Sequence, residues 1–196
     1  MKKITLLLFI IMIGFNTNLF ADSSKKIKRI SEGKDDAKII IFAYESFTCG
    51  HCADFHKNVY PELKKDFIEK GLVKIEFRHF PLDIAAFNAS KIAQCNNDGK
   101  SDLSHILFSN QKKWVKGATA EEASAHLKNF LKEESIKIDY EKCINNKDIE
   151  DYILNDRIEG VKEFKVNATP TIIINDKKFD KALNYKNLKK YLEKLI

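Results

Sequence analysis

Three observations predict an α/β fold made of a βαβ unit, a helical block and a ββα unit. Two strand segments, the apolar, β-branched run "AKIIIFAY" and then "VKIEFRHF", flank a segment with helical spacing. The middle of the chain carries helical stripes only. After Pro170 the period changes to a short apolar run, a turn and an amphipathic close.

The elements follow in order. Lys2 and Lys3, the apolar run Ile4 to Phe15 and then Ala21 read as a secretory signal peptide cut after Ala21, although Leu19 is larger than usual two positions earlier. The bland alternative is an uncleaved membrane anchor, but the run falls short of the roughly 20 residues that a transmembrane helix needs. Past the polar stretch Lys34 to Asp36, "AKIIIFAY" suits a central strand buried on both faces. Cys52, Phe55, Val59 and Leu63 recur at helical spacing, so a helix begins at the cysteines, and Pro61 should kink or restart it. "VKIEFRHF" is the second strand, closed by Pro81, and completes a right-handed βαβ unit.

Next comes "DIAAFNASKIAQC", a helix ending at "NNDG". Leu103, Ile106, Leu107 and Trp114 mark another, and Ala123, Leu127, Phe130 and Leu131 a third that starts near "GATAEE". Asp139 caps a short helix holding Cys143, and a longer one runs from Ile149 towards Phe164. "TPTIIIND" is a β run, "DK" turns, and "KKF" pairs back as a hairpin. Leu188, Tyr191, Leu192 and Leu195 define the closing helix. The order is a thioredoxin-like framework: signal peptide 1–21, N-terminal half 22–82, helical insertion 83–160 and C-terminal half 161–196.

Removing Lys2 and Lys3 takes the net charge from +6 to +4, and the lysines are scattered. The cluster "KKIKR" near the mature N-terminus reads as a solvated tail rather than a polyanion contact, and nucleic acid is not a partner. No internal repeat is visible, and low Gly and Pro exclude a disordered chain. Export places the four cysteines in an oxidising environment, where an even count suggests two pairs. Spacing pairs Cys49 with Cys52 and, by elimination, Cys95 with Cys143.

C-x-x-C serves redox and zinc chemistry alike. Zinc usually needs a second ligand pair, and His56, His79, His105 and His126 form no H-x₃₋₅-H, which favours redox. A thiol attacks a disulfide only as its thiolate. At the mouth of a helix, Cys49 meets the free N–H groups and positive dipole end of the first turn. Gly50 is expected to permit the tight turn, and His51 to place a polar ring near the sulfur that lowers the Cys49 pKa further.

"SFTCGHCADFH", followed after a helical insert by "VNATPTIII", resembles the DsbA-like thiol–disulfide oxidoreductases of bacterial cell envelopes, over roughly residues 35 to 196. The resemblance implies that Cys49 is the nucleophile and Cys52 the buried resolving thiol. It also implies that Thr169 precedes a cis proline at Pro170, facing the cysteines and offering its backbone to an extended substrate peptide. Without the cysteines, Pro170 would read as a trans proline opening a strand. Two departures stand out. The dipeptide Gly-His replaces Pro-His, and Gly-His also occurs in isomerase-type proteins. Many relatives carry an acid six positions before the first cysteine, where this chain has Ala43; nearby Glu45 is the candidate for proton transfer, or else a surface or hinge residue.

Some DsbA-like proteins carry a second, non-catalytic disulfide, which matches a structural Cys95–Cys143 bridge; separate thiols or a regulatory pair are the alternatives. Tyr44 and Phe47 read as packing rather than substrate contacts. The expected activity is periplasmic donation of the Cys49–Cys52 disulfide to folding secreted proteins with free cysteines. A DsbB-type membrane oxidase would reoxidise the pair, with no cofactor or metal. The rivals are an isomerase or reductase kept reduced, and a thioredoxin-fold metal carrier.

Overall fold

The computed structural model describes residues 27–196; the expected signal peptide with its cut after Ala21 lies outside them. Strands β1 (Ser31–Glu32), β2 (Ile39–Glu45), β3 (Val73–His79), β4 (Thr171–Ile174) and β5 (Lys177–Lys178) form one sheet among the described residues, ordered β1-β3-β2-β4-β5. β2 and β3 are parallel, whereas β1 on β3, β4 on β2 and β5 on β4 are antiparallel. The turn between β4 and β5 uses Asn175 and Asp176, both left-handed at φ 44° and 63°. It falls one residue earlier than "DK", because short polar side chains tolerate that region.

Alternation along the strands gives the sheet two faces. Ile39, Ile41, Ala43, Val73, Ile75, Phe77, Ile172 and Ile174 enter the main core. Tyr44 and Ile173 point the other way, with Phe80, Val166 and the flanking Phe42 and Phe164. Helix α8 (Lys147–Phe164) ends there, and a Cβ on its Gly160 would lie 2.7 Å from the Tyr44 ring. Only a glycine lets helix and ring approach so closely. Tyr44 and Phe47 are both buried, so they pack rather than meet solvent.

Helix α1 (Gly50–Asn58) begins at Cys49, and α2 (Tyr60–Leu63) restarts after Val59 with Pro61 in its first turn. A π-helical stretch, Lys64–Ile68, then leads to β3. Between β3 and β4 lie α3 (Ile84–Gln94), α4 (Asp102–Ser109), α5 (Gln111–Trp114), α6 (Ala120–Glu133), α7 (Tyr140–Ile144) and α8. The stripe from Leu103 to Trp114 is two helices, parted at Asn110 (φ −108°, ψ 17°). Side chains supply the starts: Asp83 for α3, a Thr119–Glu122 capping box for α6, Asp139 for α7 and Asn146 for α8. Each such cap is worth about 1 kcal/mol. Helix α9 (Tyr185–Leu192), capped by Asn184, buries Leu188 and Leu192 to close the fold. The architecture is a thioredoxin-like α/β fold with helices inserted between its βαβ and ββα parts.

Cys95, at the end of α3, is bridged to Cys143 on α7 across 48 positions, with Cα atoms 5.4 Å apart. The described part of "KKIKR" is not a solvated tail. Ile30 is buried just after it, and Arg29 reaches the buried Asp156 of α8 at 2.5 Å while stacking over Tyr152. Asp156 also accepts from the His79 backbone N–H at 2.9 Å. A buried carboxylate demands such partners, and that demand draws the basic segment onto the domain.

Candidate active site

Cys49 sits where β2 hands over to α1. It is the N-cap of α1 (φ −78°, ψ 118°), with no side-chain cap and no acidic residue in the first turn. The unpaired N–H groups of that turn are therefore left to its sulfur. The loop before it is pinned: Thr48 donates to Asp83 at 2.7 Å, and Gln111 Nε2 donates to the carbonyls of Phe47 (2.8 Å) and Cys49 (3.0 Å).

Cys49 and Cys52 are free thiols, the first half-buried and the second fully buried. The Cys49 pKa is lowered from 9.0 to about 5. The leading cause is the hydrogen bond from the Cys52 thiol; burial opposes it, and Thr169 and the backbone N–H groups of Cys52 and His51 add to it. Burial pushes the Cys52 thiol far up, reinforced by its bond to Cys49 and by the charge of Glu45. One shared hydrogen bond thus separates the two thiols: Cys49 is a thiolate at neutral pH and Cys52 keeps its proton.

Thr169 acts on Cys49 in two senses. Its carbonyl lies 3.2 Å from Cys49 Sγ, and a carbonyl only accepts, so that contact favours the protonated thiol. Its side-chain hydroxyl is buried without a hydrogen-bond partner among the described residues, and it is free to donate to the thiolate once that forms. We assign the lowering to the hydroxyl. The Thr169–Pro170 peptide bond is cis, and both residues line a groove of about 510 Å³ with His51, Phe55, Val59 and Tyr185. On the other flank of α1 a second groove, of about 810 Å³, carries Lys57, Lys112 and Lys113.

Several expectations need correction. Gly50 lies inside the helix, with open space where a Cβ would stand, so the turn does not require glycine. The His51 ring is solvent-exposed, and it is the His51 backbone N–H that bonds the Cys49 sulfur and lowers its pKa. Glu45 is neither surface nor hinge. It ends β2, is buried, and holds His56 Nε2 at 3.0 Å. The Cys52 sulfur meets the backbone N–H of Ser46, the next residue along, which brings Glu45 beside the resolving thiol.

The structure gathers Cys49, Cys52, His51, Glu45, Thr169 and Pro170 at one site; Cys95 and Cys143 lie together in the helical insertion. Sequence reasoning missed Gln111, which follows the Asn110 break and carries no local signal. It also missed His56, which stands four residues after Cys52 and so shares its helix face. Among the described residues no cluster of His, Cys, Asp and Glu is arranged to hold a metal ion.

Comparison with known proteins places this geometry. A family model described as Thioredoxin matches residues 25–194. The chain belongs to the thioredoxin family. Within that family it is 29% identical over 173 residues to Disulfide bond formation protein D of Bacillus subtilis, spanning 83% of this chain and 74% of the relative. Among solved thioredoxin-family structures, alpha-DsbA1 of Wolbachia pipientis superposes with a TM-score of 0.75 at 27% identity, covering 85% of this chain and 90% of that one. Oxidised BdbD of Bacillus subtilis gives 0.66 at 27% identity, covering 85% and 92%.

Proposed function

We propose that this chain is an exported protein thiol–disulfide oxidoreductase that donates the Cys49–Cys52 disulfide to folding secreted proteins. The observation that carries the reading is the unequal pair: a thiolate-forming Cys49 at a helix mouth between two open grooves, backed by a protonated Cys52. In the oxidised protein, a substrate thiolate attacks Cys49 Sγ. A substrate–Cys49 S–S bond forms, the Cys49–Cys52 bond breaks, and its electron pair leaves on Cys52, which takes up a proton. A second substrate thiolate then attacks the substrate sulfur, and Cys49 departs as thiolate. Its low pKa makes it a good leaving group and stabilises the reduced form, so the disulfide is a strong oxidant.

Thr169 supports the substrate side, because its carbonyl stands at the Cys49 sulfur on the groove wall. A membrane oxidase of the DsbB type would take the two electrons and restore the disulfide. The leader read from the sequence at residues 1–21 supports work in the cell envelope, where the Cys95–Cys143 bridge would serve as a structural staple. The test is oxidation of a reduced, unfolded two-cysteine peptide by stoichiometric oxidised protein, followed by alkylation. Formation of the peptide disulfide with matching loss of Cys49–Cys52 supports the reading. Failure to transfer it, while the pair is demonstrably oxidised, overturns it.

A further inference from the structure

Behind the two cysteines runs an unbroken ladder of titratable side chains. Glu45 Oε2 lies 3.0 Å from His56 Nε2, His56 Nδ1 lies 2.9 Å from His105 Nδ1, and His105 Nε2 lies 2.9 Å from Glu32 Oε1. Resting on the oxidoreductase reading, we propose that His56 and His105 form a proton relay that links Glu45, beside the resolving thiol Cys52, to Glu32 at the protein surface.

The hydrogen-bond chemistry of the ladder requires mobile protons. Two imidazole nitrogens at 2.9 Å must share a proton, and each end of the ladder needs one more between ring and carboxylate. Three bonds therefore hold three protons, and two of the arrangements with that count matter here. One has an imidazolium between two carboxylates. The other has two neutral rings and a protonated Glu45. Passing between them moves a proton onto Glu45 without importing one.

The surroundings fit conduction. The His56 ring stacks on Phe108 at 4.1 Å and on Phe77 at 5.6 Å, and His105 stacks on Tyr60 at 4.4 Å. Aromatic walls keep water from short-circuiting the path. At the inner end, Glu45 Oε1 is buried without a hydrogen-bond partner among the described residues, and the Glu45 charge acts on Cys52. At the outer end Glu32 accepts from Ser101, from Tyr60 at 2.5 Å and from Lys64 at 2.9 Å. The His105 and Glu32 side chains are 23% and 13% exposed, so the outer end of the ladder reaches solvent. Burial raises the Glu32 carboxyl, but the hydrogen bonds from His105, Ser101, Tyr60 and Lys64 outweigh it and hold it well below the usual range. The remaining titratable neighbours are His79, kept neutral by burial at the inner end, and Asp102 and Glu69 towards Tyr60.

The relay serves both halves of the cycle. When a substrate thiolate breaks the Cys49–Cys52 bond, Cys52 leaves with the electron pair and takes the Glu45 proton; the ring pair resupplies Glu45, and water refills the ladder at Glu32. On reoxidation Cys49 thiolate attacks a disulfide oxidant; a Cys49–oxidant S–S bond forms, the oxidant's own S–S bond breaks, and one of its sulfurs leaves as a thiolate. Cys52 then attacks Cys49 Sγ, its proton passes to Glu45 and outward, the mixed disulfide breaks, and the oxidant's second sulfur departs as a thiolate. Glu45 acts on the resolving thiol as its proton acceptor in this scheme, through the charge it already exerts on Cys52; His56 and His105 are positioning residues that act through it.

The test separates the two chemical steps. Reduced protein is mixed with glutathione disulfide, quenched in acid and weighed, which resolves formation of the Cys49–glutathione mixed disulfide from ring closure by Cys52. His105→Gln and Glu32→Gln should leave the first step at the wild-type rate and slow closure about tenfold, short of the ~100-fold that a directly acting base contributes. Their closure should also rise in proportion to hydroxide, as solvent takes over the deprotonation. His126→Gln, on an exposed helix position, is the neutral control. Wild-type closure rates in both variants overturn the relay. So does equal slowing of both steps, which marks a structural role. A wild-type protein that forms the mixed disulfide but never closes refutes the oxidoreductase reading itself, and the relay with it.

Discussion

Replacing Cys52 by alanine removes the leading cause of the Cys49 thiolate, and replacing it by serine does not. The Cys52 thiol donates to Cys49 Sγ, and a hydrogen bond to a charged acceptor contributes about 1.5–3 kcal/mol. At about 1.4 kcal/mol per pKa unit, that equals about 1–2 units. Cys49 is half-buried, so water replaces part of the lost donor, and the expected rise is about 1 unit. Starting from about 5, Cys49 in Cys52→Ala should titrate near 6, and in Cys52→Ser close to the wild-type value. The assay is thiolate ultraviolet absorbance against pH. Each variant reports Cys49 alone, because Cys95 and Cys143 are bridged. Coincident titrations of the two variants would refute the reasoning, since the helix mouth and Thr169 would then supply the whole effect.

Three further outcomes follow from the same structure. The Cys49 pKa is depressed in the folded reduced form, so its stabilising effect is full above the unfolded value of 9.0 and vanishes as pH falls through about 5. Discounted for exposure, it amounts to about 1–2 kcal/mol at pH 7; denaturant unfolding should show reduced protein gaining on oxidised protein between pH 5 and pH 7, and a pH-independent gap would contradict this. Opening the 48-residue loop with a Cys95→Ala, Cys143→Ala double variant should cost about 4 kcal/mol by loop entropy, read as a lower denaturant midpoint, while peptide oxidation by Cys49–Cys52 persists. Gly160→Ala forces a methyl to 2.7 Å from the Tyr44 ring and should destabilise by about 1–3 kcal/mol, measured by thermal unfolding; unchanged stability would show that α8 slides freely over the sheet.

Much of the architecture was legible because local pattern and tertiary role agree. Ile39 to Glu45 is apolar enough to be a central strand in any packing, Val73 to His79 alternates at the strand period, and the cap Asp139 acts within its own turn. β1 was not legible. Ser31 and Glu32 carry no strand signal and pair only because β3 offers them an edge. Asn110 parts the stripe from Leu103 to Trp114, a break that helical spacing passes over. At the site, Cys49, Cys52, Thr169 and Pro170 announce themselves by motif. Gly50 stands where open space admits a Cβ, and His51 acts on Cys49 through its backbone N–H, which no motif announces. The His56–His105 contact joins positions 49 apart, which no periodicity reveals. Only the i+4 spacing of His56 from Cys52 pointed that way.

The central claim is that Cys49 and Cys52 form an oxidising pair and Cys95–Cys143 a staple. The most direct measurement equilibrates the protein in graded glutathione buffers, alkylates free thiols and counts labels on each cysteine by peptide mass. The account predicts that Cys49 and Cys52 stay reduced until conditions are strongly oxidising, while Cys95 and Cys143 remain bridged throughout. A Cys49–Cys52 disulfide that persists under reducing conditions, as in a cytosolic thioredoxin, would contradict it and make the protein a reductase.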